Sequence, residues 1–517
     1  MAQRTVLVFA TVAALSAGTN YAFSAWAPEL AERLHLSSKA TNFVGLMGNA
    51  GVYGSGPFLG LLVDYRGPRL VLIISAASLF FGYIVLHALY DGGETGPYST
   101  FGLAGLAFGQ VLTGIGSSGG LSAAVNGVSK SFSPLNRGMA LATVVAGFGL
   151  SAFFYSTLSH FLRTFDTDAT SSFLLLLAFG CGLSMLLGAT FVKPVLVNED
   201  SRSRNGYSAV ETGQDHEDEA YLASDTTRPE SPSIDTTLER SSRSVDLPPR
   251  AYSPVIDQHH ERSSSKERDL ISNNLDINGR AFLMDRDFHV MFAFLGLCAG
   301  IGLMYLNNLG TIIVTLAFGT NLTPAEVSKA QAHLVSLLSI CNCLGRLAVG
   351  WAGDHFANHS PIEWRFPRIR WYIAVATGFL VSQVVAAFAS SVNDLFLPTA
   401  IVGFSYGSLF SVSPVVCLER FGLPSFGTNN GILTLSPSVF GNIANVLFGI
   451  VYDSHVFVEE DSSHNSGRTI PVRAKSHLCT MGKQCFATAF KTTIVMSLCA
   501  LLAAVVLASR RSMHCHR

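Results

Sequence analysis

A glycine-rich, charged motif between two long apolar stretches is the part of this sequence best suited to chemistry at a membrane face. It runs from Gly60 to Arg69 and contains Asp64, Arg66 and Gly67. Glycines let two helices and the loop between them approach closely. An aspartate at a helix end can face the N-terminus of another helix or pair with arginines. We therefore predict that this motif is a conformational latch between helices.

The core of this motif returns once, about 290 residues later in the chain. There Gly350 and Asp354 close a second apolar stretch. They lie four positions apart, as Gly60 and Asp64 do. A short charged turn that occurs once in each half indicates an internal duplication. Gly350 and Asp354 are therefore predicted to form a second latch.

Arg346 is the one strong charge inside the apolar stretch that Asp354 ends. Eight residues of helix separate the two side chains, which places Arg346 about 12 Å further along the helix axis. A charge at that depth is costly and by default indicates a function, such as an anion site. The alternative is that its long side chain reaches back to the membrane face or caps nearby carbonyls. The residue alone leaves both open.

The composition is that of a membrane protein. Hydrophobic residues make up 49% of the 517 residues and charged residues only 13%, and the mean hydropathy is +0.37. A soluble chain carries about 25% charged residues. The formal net charge of -1 gives no indication of a nucleic-acid partner. The expected partner is therefore a lipid bilayer.

Uncharged or nearly uncharged stretches long enough to cross a bilayer recur twelve times. They lie near Thr5–Pro28, Ala40–Val63, Leu70–Tyr90, Phe101–Val128, Gly138–Ser159, Ser171–Val192, Val290–Phe318, His333–Gly353, Trp371–Val392, Leu395–Leu418, Thr428–Tyr452 and Thr492–Ser509. We predict an all-α membrane protein of twelve transmembrane helices, arranged as two six-helix bundles in residues 1–197 and 281–517.

The short loops carry most of their basic residues on one side of the predicted membrane, with Arg33, Lys39, Arg163 and Lys329 as minor exceptions. The basic residues on that side are Arg66, Arg69, Lys130, Arg137, Arg365, Arg368 and Arg370. The opposite loops between the third and fourth and between the ninth and tenth segments contain no lysine or arginine. The loop after Tyr452 is basic but long, and long loops translocate despite their charge. Positive-inside asymmetry therefore predicts that both termini are cytosolic.

The interval 198–280 differs in composition from the rest of the chain. It is rich in serine, aspartate, glutamate and arginine and poor in large apolar residues. Such a segment buries too little apolar surface to offset its ordering entropy. We predict a disordered cytosolic linker between the two bundles. Ser231 and Ser253 each precede a proline and are candidate phosphorylation sites, which would make the linker regulatory.

The first motif resembles the signature loop of the major facilitator superfamily, which reads Gly-x-x-x-Asp-x-x-Gly-x-(Arg/Lys). The chain matches it at Gly60, Asp64, Gly67 and Arg69 and departs at Arg66 and the residue before it. The resemblance implies the fold of that superfamily. Its two six-helix halves are related by a pseudo-twofold axis, and the substrate site lies between them near mid-membrane.

Three further segments resemble one branch of that superfamily. The segment Gly18–Pro28 is similar to the first-helix signature of nodulin-like members, and Asn307-Asn308 resembles the paired asparagines of their seventh helix. Asn136–Ala140 resembles the entry to the fifth helix of monocarboxylate transporters. With the long central interval, the chain is most similar to the fungal homologues of monocarboxylate transporters. That resemblance implies a vacuolar membrane, with the plasma membrane as second choice.

The same resemblance gives Arg346 a candidate role. Monocarboxylate transporters carry an aspartate in the eighth helix and, four residues on, an arginine that engages the substrate carboxylate. Here the arginine position is Arg346, but the aspartate position is Asn342. Both are candidate substrate-binding residues, and the substitution leaves the coupled acid–base pair in question.

Four polar residues of the first and seventh segments are the remaining candidates for substrate binding. They are Asn20, Tyr21, Asn307 and Asn308. The resemblance places these two segments along the central cavity. A buried amide without a partner is costly in a membrane, so each must face the cavity or hydrogen-bond another helix. Because Asn307 and Asn308 point about 100° apart, at most one is expected to face substrate.

Two candidate modifications lie on the side opposite the predicted cytosolic face. Cys479 and Cys485 lie close together in the long loop after Tyr452 and could form a disulfide if the chain turns there. Asn321 begins an Asn-Leu-Thr sequence that fits a glycosylation acceptor. The alternative is two free thiols and an unmodified asparagine.

The sequence thus predicts a secondary transporter of a small organic solute, such as a monocarboxylate or related anion, that works by alternating access as a monomer. No carboxylate lies well inside a predicted span, which leaves both uniport and unconventional ion coupling open. The alternative is a non-transporting nutrient sensor on the same fold. No metal-ligand spacing, nucleotide-binding loop or nucleophile motif is present, so we expect neither a cofactor nor an enzyme activity.

Overall fold

The computed structural model describes residues 2–93, 96–162, 169–193, 275–318, 320, 322–359, 366–455, 479 and 481–510, and these contain helices but no strand. The first group of helices comprises α1 (Ala2–Ala17), a 3₁₀ segment (Gly18–Ala25), α2 (Ala27–Arg33), α3 (Ser38–Arg66), α4 (Pro68–Gly92), α5 (Pro97–Ser131), α6 (Arg137–Leu162) and α7 (Ala169–Phe191). The second group comprises α8 (Gly279–Met284), α9 (Arg286–Ala317), α10 (Pro324–Asp354), α11 (Trp371–Phe388), α12 (Phe396–Phe421), α13 (Phe426–Leu433), α14 (Leu435–Asp453) and α15 (Gln484–Ser509).

Within these residues, ten helices are long and apolar enough to cross a membrane. They correspond to the third to twelfth predicted segments, with α13 and α14 together forming the eleventh. The first and second segments correspond to α1, of 16 residues, and to the glycine-rich α3, which are not among the ten. The all-α membrane architecture is confirmed, and the helix order agrees with twelve passes.

Several helices extend beyond the apolar stretch that predicted them. α10 begins at Pro324 rather than near His333 because a capping box starts it in polar sequence. The Thr323 backbone N–H donates to Glu326 Oε2 over 2.8 Å, and the Glu326 N–H donates to Thr323 Oγ1 over 3.3 Å. Pairing these free backbone groups stabilises the first turn of a helix whatever its hydropathy. The length of the apolar stretch therefore underestimates the length of the helix.

Most helix packing occurs within each group. In the first group α5 packs on α3 and α4, and α1 packs on α5, α6 and α7. In the second group α12 packs on α10 and α11, and α9 packs on α14 and α15. The two groups meet along two seams, in which α3 contacts α13 and α10 contacts α6. The helices that carry the two predicted latches are therefore the helices that join the groups.

The end of the predicted linker differs from the expectation of disorder. Most of the interval, residues 198–274, lies outside the described residues. Residues 275–278 lead directly into α8, and the Ile277 N–H donates to the Phe421 carbonyl at the end of α12 over 3.0 Å. The last residues of the interval are held by this backbone bond, and the apolar anchor Phe282, just beyond the interval, is fully buried.

Candidate functional site

The carboxylate of Asp64 lies at the N-terminus of α13, in the other helix group. It accepts hydrogen bonds from the Gly427 N–H (3.0 Å), the Thr428 N–H (2.7 Å) and the Thr428 hydroxyl (2.9 Å). The side-chain amide of Asn126, on α5, donates a fourth bond over 2.9 Å. The first N–H groups of a helix have no partner within it and carry a partial positive charge. A carboxylate there satisfies the helix and is itself stabilised.

The carboxylate of Asp354 makes the reciprocal contact. It accepts hydrogen bonds from the Gly138 N–H (3.1 Å) and the Met139 N–H (2.7 Å) in the first turn of α6. Arg368 forms a salt bridge with it over 2.7 Å and also pairs with Glu419. Each group thus ends one helix with an aspartate that caps a helix of the other group. We call the side of the protein on which both aspartates lie the latch face.

Glycines bring the helices of each seam into contact one turn before the aspartates. A Cβ on Gly60 would lie 2.1 Å from the Gly427 carbonyl oxygen, so α3 and α13 touch backbone to backbone. A Cβ on Gly350 would lie 2.2 Å from the Cβ of Ala142 on α6. Neither position leaves room for a side chain. The close approach predicted from the motif is present in both seams.

The remaining members of the first motif lie at the surface. Arg66 and Arg69 are exposed, and among the described residues neither forms an ion pair with Asp64. Gly67 joins α3 to α4 with φ of +79°, a left-handed conformation that favours glycine. The charge of Asp64 is therefore met by helix N–H groups, a hydroxyl and an amide.

Arg346 lies in the seam between α10 and α6. Its side chain is buried, its Nε donates to Asn342 Oδ1 over 3.0 Å, and its guanidinium also donates to the Val145 carbonyl oxygen of α6. A Cβ on Gly149 would lie 2.8 Å from the guanidinium carbon. The missing side chain of Gly149 thus creates the space that the guanidinium occupies. Asn342 and Arg346 are brought together, one turn apart on one helix.

Asn20 forms hydrogen bonds within the first group. Its amide donates to Asn49 Oδ1 over 3.4 Å, and its Oδ1 accepts from Gln110 Nε2 over 3.1 Å. Asn20 is buried, whereas Asn49 is exposed on α3. Because Asn49 lies seven and eleven residues before Gly56 and Gly60, it faces nearly the same direction on that helix. The side chain of the candidate Tyr21 lies outside the described residues.

The two asparagines of α9 have different surroundings. Asn307 is exposed, whereas the amide of Asn308 donates to the Met304 carbonyl (2.8 Å) and to Asn445 Oδ1 of α14 (3.0 Å). A cleft of about 520 Å³ opens beside them, lined by Asn308, Gly310, Thr311, Val314, Gln331, Phe448, Gly449 and Tyr452. The described residues of the lining carry amide and hydroxyl groups and no ionised side chain. It lies between α10 and α14, towards the ends of these helices that point away from the latch face.

The candidate modification sites have different outcomes. Cys479 and Cys485 form a disulfide with a Cα–Cα distance of 6.0 Å, and the Cys479 N–H donates to the Tyr452 hydroxyl over 3.1 Å. Asn321 lies outside the described residues, while Thr323 of the same acceptor sequence caps α10. The described residues contain no group of three or more His, Cys, Asp or Glu side chains that could hold a metal ion.

Several residues of the seams were not singled out from the sequence. Asn126 and Glu419 lie on helices without a local motif. In the sequence, Arg368 is one of several loop charges that indicate orientation. The exposed Asn49 and the buried Gln110 likewise became visible only through their bonds to Asn20. A polar residue inside an apolar stretch was the available signal for the amides, but it does not identify their partners.

A family model described as Major Facilitator Superfamily matches residues 9–444. The chain is 27% identical over 478 residues to an uncharacterized membrane protein of Saccharomyces cerevisiae, YMR155W. The alignment covers 84% of each chain. It is 26% identical over 530 residues to the probable transporter mch1 of Neurospora crassa, covering 93% of this chain and 84% of that one.

Solved structures of similar fold span nearly the whole chain. The proton:xylose symporter XylE superposes with a TM-score of 0.62 at 13% identity, covering 97% of this chain and 94% of that one. The human organic anion transporter MFSD10 superposes with a TM-score of 0.54 at 14% identity, covering 98% and 100%. At such identities the likeness shows the fold alone.

Proposed function

The chain belongs to the major facilitator superfamily and is a secondary transporter, and we propose that it carries a small organic solute across the membrane by alternating access. The observation that supports this most is the reciprocal pair of latches. Asp64 caps α13 and Asp354 caps α6, so each aspartate binds the opposite helix group. Both contacts can form only when the groups are together on the latch face.

The two latches suit a reversible gate. Their hydrogen bonds join one rigid helix end to another, and such contacts can break and re-form as the groups rock about a fixed central site. The amide-lined cleft lies towards the opposite face. The closed contacts on the latch face suit a state that would open towards the other side. We take the latch face to be cytosolic, with both termini on that side and the protein in the vacuolar membrane.

For the substrate we propose a monocarboxylate or a related small anion. Arg346 supports this, because a guanidinium offers a bidentate fit to a carboxylate. Two of its partners, the Asn342 amide oxygen and the Val145 carbonyl oxygen, are neutral acceptors. A carboxylate would bind the guanidinium more strongly than a neutral oxygen does. Entry of substrate would therefore compete with the contact between α10 and α6.

Solute uptake into proteoliposomes that contain the purified protein tests the proposal. Small monocarboxylates, dicarboxylates, amino acids and neutral solutes should be compared with and without a pH gradient. We expect saturable uptake of a carboxylate. If a correctly folded protein transported none of these carboxylates, the proposed substrate class would be wrong.

A cross-linked variant tests whether the seam between α3 and α13 must open during transport. A Cβ on Gly56 would lie 3.1 Å from Thr434 Oγ1 across the seam, a distance compatible with a disulfide between Gly56→Cys and Thr434→Cys. Oxidation of the double variant should stop uptake, and a reductant should restore it. Unchanged uptake in the oxidised, cross-linked protein would contradict a gate at this seam.

Sidedness can be measured separately. An impermeant maleimide should label Asn393→Cys, at an exposed position between α11 and α12, in sealed vesicles from the side opposite the latch face. Reaction of Asn393→Cys from the cytosolic side alone would overturn the proposed orientation.

A further inference from the structure

The segment Leu275–Met284, which we call the linker exit, lies against the turn between α12 and α13. The Ile277 N–H donates to the Phe421 carbonyl oxygen over 3.0 Å. The Asn278 amide donates to Ser425 Oγ over 3.1 Å. The segment thus binds both ends of the turn that leads into α13, the helix that Asp64 caps.

Gly422 makes this contact possible. Its φ of +96° lies in the left-handed region, and a Cβ at this position would lie 1.7 Å from the Leu275 carbonyl oxygen. Any other residue would be strained in its own backbone and would also displace the linker exit. Both requirements favour a glycine at this position.

An aromatic cluster fixes the other end of the linker exit. Phe282 of α8 is fully buried, and its ring centroid lies 4.7 Å from that of Phe421 and 4.5 Å from that of Phe288. Burying a phenylalanine side chain is strongly favourable. The linker exit is therefore held firmly on the second helix group.

Asn429 connects the linker exit to the latch. It is fully buried, and its amide donates to the Ile277 carbonyl oxygen over 2.8 Å. The preceding residue, Thr428, donates its N–H to Asp64 over 2.7 Å. The first turn of α13 is thus held from two sides, by Asp64 of the first group and by the linker exit.

The second latch has a comparable device of different origin. Arg368 donates to the Pro134 carbonyl oxygen, in the turn before α6, over 2.9 Å and to Asp354 over 2.7 Å. One side chain there fixes both the turn before the capped helix and the capping carboxylate. No arginine does this at the Asp64 latch within the described residues, and the linker exit occupies the corresponding place.

We propose that the linker exit is a positioning element of the Asp64 latch and acts through Asn429. It holds the first turn of α13 where its N–H groups meet Asp64, so releasing it loosens the seam between α3 and α13. The gate on the latch face is thereby attached to the interval that joins the two helix groups in sequence. The inference rests on the proposed gating cycle, but its test measures the gate without measuring transport.

The test uses the full-length protein with a reporter, Thr434→Cys, in a background whose other free cysteines are replaced. Thr434 lies in this seam, beside Gly56. An impermeant maleimide is added from the cytosolic side of sealed vesicles. Asn429→Ala removes the bond to Ile277 and should increase the rate of labelling about threefold to tenfold. Gly422→Ala should do the same by displacing the linker exit.

A double variant separates positioning from general loosening. In protein that already carries Asp64→Asn, the change Asn429→Ala should add little, because the two residues act on one turn. Gly482→Ala is the matched backbone control, since Gly482 has a φ of +60° and no neighbour within 4 Å of a Cβ. It should leave labelling unchanged.

Two results would overturn the inference. One is unchanged labelling in folded Asn429→Ala and Gly422→Ala proteins. The other is an equal increase from Asn429→Ala with and without Asp64→Asn. An increase in labelling from a protein that transports no solute would support the inference while removing the proposed substrate function.

Discussion

The two seams between the helix groups are built on matching positions and differ at one of them. Asp64 and Gly60 on α3 correspond to Asp354 and Gly350 on α10, about 290 residues later. Four residues before each glycine, α3 carries Gly56 and α10 carries Arg346. In the first seam, therefore, the backbone of α3 lies directly against α13. In the second seam a guanidinium lies between α10 and α6.

The surroundings of the two aspartates differ in the same sense. Asp64 is met by N–H groups, a hydroxyl and the Asn126 amide, whereas Asp354 is also paired with Arg368. The first seam thus holds its carboxylate with neutral donors and the nearby charge of Lys130, whereas the second contains a direct ionic network. We infer that the first seam acts only as a gate and that the second combines gating with substrate recognition.

The largest difference is expected from removing the charge of Asp354. Asp354→Asn leaves the buried Arg368 with Glu419 as its one carboxylate partner. Removing one partner of a buried ion pair costs about 3 kcal/mol when the other charge is left unpaired, and the remaining Glu419 offsets part of that loss. Thermal unfolding in detergent should show a clearly larger loss than for Asp64→Asn. Equal losses would mean that the two latches do not differ energetically.

The two glycine contacts can be distinguished by whether a second substitution relieves the clash that an alanine creates. Gly60→Ala should destabilise the closed seam by about 2 kcal/mol because its Cβ meets a backbone carbonyl, which no substitution removes. Gly350→Ala meets the Ala142 Cβ instead and should be relieved by Ala142→Gly. The rate at which an impermeant maleimide, added from the latch face, labels a cysteine introduced in each seam measures both effects. Gly54→Ala, with no neighbour within 4 Å on the same α3, is the control and should leave labelling unchanged.

Arg346 tests whether the second seam recognises substrate. Arg346→Lys keeps the charge but loses the planar fork, so carboxylate uptake should fall about tenfold, which corresponds to 1.4 kcal/mol. Arg346→Gln should lower it further. Uptake is normalised to correctly folded protein. Near-normal values would remove Arg346 from the substrate site and leave the asparagines as the remaining candidates.

Asp64 tests whether the first seam is only a gate. It lies at the latch face, away from the amide-lined cleft, so Asp64→Asn should slow turnover with little change in apparent affinity. The lost negative charge at the helix N-terminus is worth up to about 1 kcal/mol, or roughly a fivefold change in rate. Initial rates over a range of solute concentrations separate the two parameters. A loss of affinity at an unaltered maximal rate would contradict the assignment.

The smallest effect is expected from the exposed arginines of the first motif. Arg69 forms no ion pair with Asp64 among the described residues. Arg69→Gln should therefore change the thermal unfolding of the protein by no more than a surface substitution does, within about 0.5 kcal/mol. An effect as large as that of Asp64→Asn would show that Arg69 contacts the latch in another conformation of the cycle.

Local sequence patterns were sufficient to determine the fold class and the family. Apolar stretches long enough to cross a bilayer predict helices because each helix satisfies its own backbone hydrogen bonds within one segment. The Gly60–Arg69 motif and its return at Gly350 indicated the superfamily, and the family match confirms it. The motif also singled out the two glycines that the structure places in the seams.

The partners of these residues were decided by the tertiary structure alone. Asp64 meets Thr428, 364 residues away in the chain, and Arg346 meets Val145, 201 residues away. No helical period relates residues on different helices, because such contacts depend on how two groups of helices pack. The linker exit shows the same limit. Residues 275–280 end the interval predicted to be disordered, and their composition does not reveal the backbone bond from Ile277 to Phe421 of α12.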